Sequence, residues 1–419
     1  MPTSTLLQLI ARGRQDTYLT ANPQTSFFRQ VFRRYTPFAI ESIPIELDGT
    51  LQLGQRLSCR IPRKAELLSS LFLEIDLPPI PVGENDQSYV WVNDIGHALI
   101  RDVSIEIGEK EIDKQTGEWM KLWSELTTPA GLRDGFNEMV GHYDNFPINV
   151  ADAQSNGLSL QIPLRFWFCN NIGLALPLIA LQAHPVRLIM HLRPFTDLWW
   201  SDVGLPCTPP DPVQPTRIQL FGDYIFLDKS ERREFASRDH EYLIEQIQVV
   251  PPQTVHAGVS RVNVPLLINH PCKEFIWVVQ QTRAHQLHEW FNYSDRMLND
   301  ATPTRPSELL GEAILRLDGY DRFYQRPARY FRLTQPYQRH TNIPYTENTY
   351  IYVWSISLRP EAEQPSGSLN ASKIDDITWN LGLNTLSTAA GYERKISFFV
   401  PNYNVLRIVG GLGGLAFIS

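Results

Sequence analysis

Residues 104–113 are SIEIGEKEID, and residues 314–323 are ILRLDGYDRF. Each stretch has a short strand-like run, a turn that contains glycine, and a second short run, which is the pattern of a β-hairpin. A similar segment follows each hairpin, since WMKLW at 119–123 corresponds to YFRLT at 330–334, a shift of 211 residues. The two stretches therefore predict that one β-rich unit occurs twice in the chain.

The similarity continues along the chain with its order kept and its spacing changed. PLRFWF at 163–168 is similar to YIYVWS at 350–355, and 186–190 is similar to 374–378 at a shift near 188. Surface loops accept insertions more readily than paired strands do, so two copies of one domain with loops of different length give this pattern. The extra residues of the first copy would lie in 127–160. Chance similarity between β-rich segments is the alternative explanation.

Proline is abundant, with 31 residues that fall mainly between short apolar or alternating runs. Proline ends strands and shapes turns, so this texture indicates an all-β protein. One segment, 118–126, instead places tryptophan and leucine at helical spacing and predicts a short helix that caps a barrel. The runs that predict strands are 71–77, 103–107, 164–168, 186–192, 218–227, 275–279, 313–317, 350–358, 396–400 and 405–409.

A chain of 419 residues favours two domains of roughly 200 residues each. Immunoglobulin-like domains would be nearer ~100 residues, whereas eight-stranded jelly rolls fit the length and the strand count. We therefore predict two tandem eight-stranded jelly-roll β-sandwiches with short helices in loops. The Pro-rich stretch PCTPPDPVQP predicts a linker at 206–216, between a first jelly roll at 25–205 and a second at 217–419, after an amino-terminal arm at 1–24.

The composition excludes several classes of protein. The 38 basic and 45 acidic residues give a net charge of -7, which disfavours bulk binding of nucleic acid. The four cysteines are far apart and form no CxxC pair, so reduced, mostly buried thiols are expected instead of a zinc knuckle or a disulfide framework. No secretory signal or membrane-spanning run is found, and synthesis and assembly in the cytosol are the expectation.

No catalytic, cofactor-binding or metal-binding residue can be assigned from the sequence. The GxGxxA match at 411–416 is followed by only three residues, too few for the helix that a dinucleotide site needs. His285 and His288 form an HxxH pair without a third ligand, and there is no HxH pair, phosphate loop, GxSxG or HExxH. A carbohydrate-binding or cupin-like metal enzyme on a two-barrel fold is the non-structural alternative.

Two features are candidate modification or contact sites. Arg29, Arg33 and Arg34 form a basic cluster among aromatic residues, which is typical of a solvated face or an interface. Asn292 and Asn370 begin Asn-x-Ser sequons and are candidate glycosylation sites if the chain meets a glycosylating compartment. Structural explanations also exist, because Ser372, with Asp375 three residues on, has the form of a helix start.

Four blocks of the sequence are similar to one known family. They occur in that family's order and span nearly the whole chain: GRQDTYLTANPQTSFFRQVFRRYTPFAIE at 13–41, YVWVNDIGHALIRDVSIEIGEKEIDKQTGEWMKLWSEL at 89–126, LRPEAEQPSGSLNASKID at 358–375 and PNYNVLRIVGGLGGLAF at 401–417. The chain thus resembles the major capsid proteins of nucleocytoplasmic large DNA viruses. Two residues depart from the family pattern, Pro37 in place of an expected Asn and Glu109 in place of a common second glycine, and they put only local turns in doubt.

The resemblance implies a structural protein without a cofactor. Three chains would form a trimeric, pseudo-hexagonal capsomer of the icosahedral shell of a large dsDNA virus, because two similar barrels in each of three subunits present six similar wedges. The implied partners are further copies of the chain, neighbouring capsomers, and minor capsid and penton proteins, with no direct sequence-specific nucleic acid.

The family also implies a location for the arm. Residues 1–24 would lie on the inner capsid face, near an internal viral membrane, with Arg29, Arg33 and Arg34 facing acidic partners or lipid head groups. The chain would be found in the virion capsid and be assembled in the host cytoplasm. A transient scaffold of virion assembly, as in the related poxvirus protein of the same fold, is the structural alternative.

Overall fold

The computed structural model describes residues 3–81, 89–144, 146, 157–201, 210–298, 300, 306–344, 349–384 and 392–417. The chain divides into two compact units, residues 1–37 and residues 38–419. The smaller unit contains helices α1 (Thr3–Ile10) and α2 (Thr17–Thr20), followed by a segment without strands. Among the described helices, none is both long enough and apolar enough to cross a membrane.

The larger unit begins with the strands of a first barrel. Short helices lie in its loops: α3 (Ile95–Leu99), α4 (Gly117–Thr127), α5 (Arg133–Val140) and α6 (Trp167–Asn170). The strands are β1 (Phe38–Ile45), β2 (Arg56–Arg60), β3 (Leu67–Leu77), β4 (Tyr89–Trp91), β5 (Ile100–Ile107), β6 (Lys110–Thr116), β7 (Leu158–Pro163), β8 (Leu176–Pro177), β9 (Val186–Leu192), β10 (Trp199–Ser201) and β11 (Arg217–Leu227).

A second barrel follows helix α7 (Lys229–Ser237), and its loops hold α8 (Thr282–Gln286) and α9 (Gln335–Arg339). A π-helical turn, Tyr330–Thr334, leads directly into α9. The strands are β12 (His240–Val255), β13 (Arg261–Pro265), β14 (Pro271–Cys272), β15 (Glu274–Gln281), β16 (Leu310–Leu317), β17 (Tyr320–Asp321), β18 (Arg326–Pro327), β19 (Tyr352–Ser355), β20 (Leu369–Asn370), β21 (Ile377–Leu383), β22 (Arg394–Val409) and β23 (Leu412–Leu415).

The two barrels have the same strand order. In the first barrel, one sheet runs β1-β11-β3-β7 and the other β2-β9-β5-β6. In the second barrel, the corresponding orders are β12-β22-β15-β19 and β13-β21-β16-β17. All of these pairings are antiparallel, and each barrel therefore has eight principal strands in two facing sheets. The predicted all-β fold of two tandem jelly rolls is confirmed.

The two hairpins that indicated a repeat are equivalent in the structure. Gly108 and Glu109 both have positive φ, of 61° and 66°, and connect β5 to β6. Asp318 and Gly319, with φ of 49° and 81°, connect β16 to β17 in the same way. Positive φ at both central positions is the mirror-type turn that suits a two-residue hairpin. Glu109, which departs from the glycine common in the family pattern, therefore leaves the turn in place. A non-glycine residue with positive φ lowers the stability of the fold by about 1 kcal/mol.

The repeat was less accurate farther along the chain. Residues 163–168 were matched to 350–355 as an equivalent strand. The first-barrel strand of this region is instead β7, which ends at Pro163, and Trp167 already begins α6. A short apolar run does not by itself distinguish a buried strand from a buried helix. The runs at 396–400 and 405–409 belong to the single long strand β22. The helix predicted at 118–126 is confirmed as α4.

The predicted boundary at 206–216 requires correction. Residues 202–209 lie outside the described part of the chain, and 210–215 form no strand. Strand β11, which this boundary assigned to the second jelly roll, pairs with β1 along its length and with β3 on its other side. Residues 210–215 therefore belong to the first barrel, and the second barrel begins after Leu227.

Each barrel encloses a core of apolar side chains. The core of the second barrel is rich in aromatic rings. Trp277 is fully buried, with ring centroids 4.6 Å from Trp379, 5.2 Å from Phe331 and 5.7 Å from Tyr352. Rings at these distances add to the free energy gained from burial. Phe331, inside the repeated YFRLT segment, provides the buried ring there, whereas Tyr330 and Leu333 are half-buried.

The described cysteines carry no disulfide. Cys59 and Cys272 are buried, Cys169 is partly buried, and all three are free thiols. Burial raises the pKa of each thiol to about 12, which keeps the unreactive neutral form. Cys207 lies outside the described residues.

Replacement of Trp277 by alanine is expected to lower the free energy of unfolding by about 3–5 kcal/mol, because the emptied site is enclosed by other rings. Chemical denaturation followed by tryptophan fluorescence measures this loss. Leu267→Ala is the matched control, since Leu267 is 93% exposed and its truncation empties no core site. Equal midpoints for the two variants would contradict the assignment of Trp277 to the core.

Candidate functional site

Helix α4 lies where the two barrels meet. Thr116 begins the helix, because its side-chain oxygen accepts a hydrogen bond from the amide of Trp119 at 3.2 Å. Trp119 then stacks on Trp123, with 5.2 Å between centroids, and on Phe399 of the second barrel at 6.1 Å. Both tryptophans are buried. The helix therefore belongs to the first barrel but packs on the second.

The sheet of the second barrel that receives α4 is buried on both faces. In β15, Phe275, Trp277 and Val279 point into the second barrel, while Ile276 and Val278 belong to the same core cluster as the first barrel's interior. Phe399 joins Ile276 and Val278 in that cluster. Alternate residues of a strand face opposite sides of a sheet, so this sheet separates two apolar interiors. The barrels are held as one body by a shared core.

Hydrogen bonds extend the junction beyond its apolar centre. The amide of Ile247 donates to Asp113 at 3.2 Å, and Gln246 donates to the carbonyl of Ile112. At the end of α4, Asn342 donates from its side chain to the carbonyl of Glu125 at 2.8 Å. Since these groups are partly or fully buried, each bond avoids the cost of an unpaired polar atom. Burial raises the pKa of Asp113 to about 6.

A buried ion network anchors α4 from the side of the first barrel. Lys121 lies 2.7 Å from Asp94 and 2.6 Å from Glu125, and all three side chains are buried. His142 contacts the other oxygen of Asp94 at 2.9 Å. Burial alone would raise the pKa of Asp94, but Lys121 and His142 outweigh it and hold that pKa well below its usual range. Removing one partner would leave a buried charge uncompensated.

A second buried ion cluster lies on the other side of the junction. His340 contacts Glu274 at 3.0 Å through Nε2 and Glu361 at 2.9 Å through Nδ1, and its side chain has no exposed surface. Its ring also lies edge-on to Trp123, at 6.1 Å between centroids. Burial alone would lower the pKa of His340, but the two carboxylates outweigh it and raise the pKa to about 9.

Lys273 connects the same region to the first barrel. Its ammonium group is buried, contacts Glu245 at 2.5 Å and donates to the carbonyl of Pro360 at 2.7 Å. It also lies 5.3 Å from the ring centre of Trp123. A desolvated ammonium over a tryptophan face is an attractive contact of about 2 kcal/mol. Charged groups of the second barrel thus converge on a tryptophan of the first.

The basic cluster predicted from the sequence lies in the smaller unit. Arg29, Arg33 and Arg34 are exposed and belong to no helix or strand. Phe27 and Phe28, which precede them, are fully exposed. The cluster therefore offers guanidinium groups and apolar rings along one short stretch.

The structure separates the two predicted glycosylation sites. Asn292 is buried, and its side-chain nitrogen donates to Glu289 and to the carbonyl of Arg296, both at 2.6 Å. An attached sugar would replace these bonds and has no room, so glycosylation of Asn292 is incompatible with the folded chain. Asn370 is exposed and instead caps the helical turn Ala371–Lys373. The predicted helix start at Ser372 was thus two residues late.

The histidines of the HxxH pair do not converge. His288 contacts the carbonyl of Trp199 at 2.7 Å through Nδ1, whereas His285 lies 3.3 Å from the ammonium of Lys395. Burial, with Lys395 and Arg193 nearby, lowers the pKa of His285 to about 3. Over the described ranges, no three or more His, Cys, Asp or Glu side chains are grouped as a metal site.

Two family models divide the chain as the sheets do. The model for the amino-terminal part of major capsid proteins matches residues 26–228, and the model for the major capsid protein of large eukaryotic DNA viruses matches residues 231–414. The chain is also 36% identical to the major capsid protein of Pyramimonas orientalis virus, with 98% of each chain covered. The chain belongs to the major capsid proteins of large eukaryotic DNA viruses. Its role in this family is structural.

Further relatives and a solved structure agree with this membership. The major capsid protein of Paramecium bursaria Chlorella virus 1 is 34% identical, with 99% of each chain covered. A chain of the quasi-atomic model of the PBCV-1 virus capsid superposes with a TM-score of 0.79 at 29% identity, covering 94% of this capsid-family chain and 100% of that chain. The two family models meet between residues 228 and 231, which agrees with the boundary set by the pairing of β11.

The polar residues of the junction were not predicted from the sequence. His340 belongs to no motif in the sequence, and its partner Glu274 begins a strand 66 residues earlier. A usable signal did exist in β15, because EFIWVVQQ is apolar at consecutive positions and is buried throughout. A continuous apolar run of this kind is typical of a strand that is covered on both faces.

The His340 cluster is expected to make stability depend on pH. Since the folded pKa of about 9 exceeds the ordinary value of 6.5, the contribution is fully present below about pH 6.5 and is lost as pH rises to 9. The loss should be on the order of 3 kcal/mol in the free energy of unfolding. Urea denaturation at a series of pH values measures it.

His340→Gln is the matched variant, because it retains a polar side chain without a titrating proton. Subtracting its pH profile from that of the unsubstituted protein removes contributions from other buried groups, such as Glu289 with its pKa of about 7. Identical profiles for the two proteins between pH 6.5 and 9 would contradict the buried imidazolium.

Proposed function

We propose that this chain forms a homotrimeric capsomer with a pseudo-hexagonal outline, which tiles the icosahedral shell of a large dsDNA virus. The observation that carries the proposal is the repetition of one strand order in two barrels that share a core. A shared core fixes the angle between the barrels. Three such chains around a threefold axis would place six similar barrels in a ring.

Rigidity at the junction suits this function. If the barrels moved freely, the six-cornered outline would not be preserved and neighbouring capsomers would not meet along regular edges. Burial of Trp119, Trp123 and Phe399 between the barrels, together with the His340 and Lys121 ion clusters, opposes such motion.

The proposed setting is the capsid of the virion, after assembly in the host cytoplasm. Partners would be neighbouring copies of the capsomer, minor capsid and penton proteins, and on the inner face the viral membrane. The net charge of -7 does not favour direct contact with nucleic acid. We assign no catalytic step and no cofactor to the chain.

The mass of the native assembly is the first test. Native mass spectrometry or light scattering should give three times the chain mass of 48.1 kDa, because a head-to-tail threefold ring closes on itself. A monomer at all concentrations would contradict the proposal. The chain should also be present in purified mature virions, since a transient scaffold with the same fold would be absent from them.

The exposed basic cluster supports a contact on the inner face. Reversal of charge at Arg29, Arg33 and Arg34 should lower particle yield while trimers persist, because a guanidinium cluster binds acidic groups on partners or lipids. Lys229→Glu with Arg233→Glu is the control, since both residues are exposed on helix α7, outside the unit that holds the cluster. Normal yield of intact particles from the triple variant would refute the contact.

A further inference from the structure

The junction inside the chain shows how one barrel docks on the next. The docking side of the first barrel consists of β6 and α4, through Ile112, Trp119 and Trp123. The receiving side of the second barrel is the outer face of its β12-β22-β15-β19 sheet, through Ile276 and Phe399. A barrel of this type therefore has a docking side and a receiving side, and the chain joins one of each.

The second barrel has its own copy of the docking side. Strand β17, the π-helical turn and α9 occupy the positions of β6 and α4, since each set follows the equivalent hairpin turn. In this copy, Tyr320, Tyr324 and Tyr337 are 79%, 89% and 76% exposed. We call residues 320–339 the tyrosine-arginine surface.

The first barrel has its own copy of the receiving side. The outer face of β1-β11-β3-β7 carries Phe72 and Phe221, which are direct cross-strand neighbours and only partly buried. Around these rings, Glu74, Asp76 and Asp223 occupy outward positions of β3 and β11. We call these five residues the carboxylate face.

The two surfaces have opposite charge. The tyrosine-arginine surface contains five arginines and a single aspartate in its sequence, YDRFYQRPARYFRLTQPYQR, although the chain as a whole is acidic. The carboxylate face has three carboxylates, with Arg217 as the neighbouring cation, 3.3 Å from Glu74. Oppositely charged patches steer association and exclude wrong pairings.

We propose that the tyrosine-arginine surface of one chain docks on the carboxylate face of a second copy of the chain, in the geometry that the chain already uses internally. This inference rests on the proposed trimer and names its contact surface. Each chain offers one surface of each kind, so the contact is head-to-tail and closes after three copies if the internal angle is repeated. Tyrosine and arginine are also the residues enriched at protein interfaces.

A difference between the two receiving faces fits this assignment. The internal receiving face carries Ile276, Val278 and Phe399, is apolar and is covered as soon as the chain folds. The carboxylate face surrounds two rings with charged groups. A face that stays in water until another chain arrives must remain soluble, and a ring of charge around an apolar centre meets that need.

Charge exchange between the surfaces tests the proposal. We would prepare Arg322→Glu with Arg326→Glu, Glu74→Arg with Asp76→Arg, and all four substitutions together, and measure the trimer fraction by sedimentation velocity over a dilution series. Each pair alone should raise the concentration of half-dissociation by about tenfold or more, and the combination should recover most of the loss. Leu267→Asp, at an exposed residue outside both surfaces, should leave the concentration of half-dissociation unchanged.

Thermal melting of each variant, followed by near-UV circular dichroism, separates lost contacts from lost folding. Trimers that resist both charge reversals, or reversals that weaken the trimer without recovery in combination, would overturn the pairing of these two surfaces while the proposed trimer stands. If the unsubstituted chain is a monomer at every concentration, the proposed function itself fails. The oligomeric state of the unsubstituted chain is therefore measured before any variant is compared.

Discussion

One sheet of the second barrel, β12-β22-β15-β19, must be apolar on both faces, and the rest of the architecture depends on this constraint. Its inward residues close the aromatic core around Trp277, and its outward residues close the core of the first barrel. Burial of an isoleucine, valine or phenylalanine side chain contributes about 1.5–3 kcal/mol. Separating the barrels would expose several such side chains at once, so the two jelly rolls are one folding and mechanical unit.

Buried polar groups give the junction its geometry. Apolar contact alone tolerates small rotations, whereas the bonds of Lys121 to Asp94 and of His340 to Glu274 have definite lengths and directions. Such pairs add little net stability compared with an apolar filling of the same shape, but a misplaced partner leaves a charge buried alone. We infer that these clusters select one angle between the barrels, and a shell of repeated units needs a single angle.

Equivalent surfaces of the two barrel copies have different roles. The same sheet position is covered within the chain in the second barrel and left partly open in the first. The same helix position is buried as α4, whereas α9 carries the exposed Tyr337. Strand order and hairpin turns are kept between the copies, whereas the loops differ. Relatives match over nearly the whole of this chain, so both copies of the barrel lie within the matched sequence.

Much of the candidate site was outside the reach of sequence reasoning. The helix at 118–126 could be predicted because its tryptophans follow a local period, and the hairpins could be matched because each is a continuous stretch. The assignment of β11 to a barrel could not be predicted, since its partners β1 and β3 are distant in the sequence and a proline-rich stretch precedes it. Asn292 shows the same limit, because a sequon does not tell whether its amide is buried.

The sequence by itself determined an all-β chain, its internal duplication and its family, since these follow from local periodicity and from the order of short motifs. Tertiary structure alone decided which sheet lies between two cores, which histidine is held between two carboxylates, and which tyrosines remain exposed. These properties depend on burial and on charges brought together from distant parts of the chain, and the free energy of such contacts is absent from any single segment.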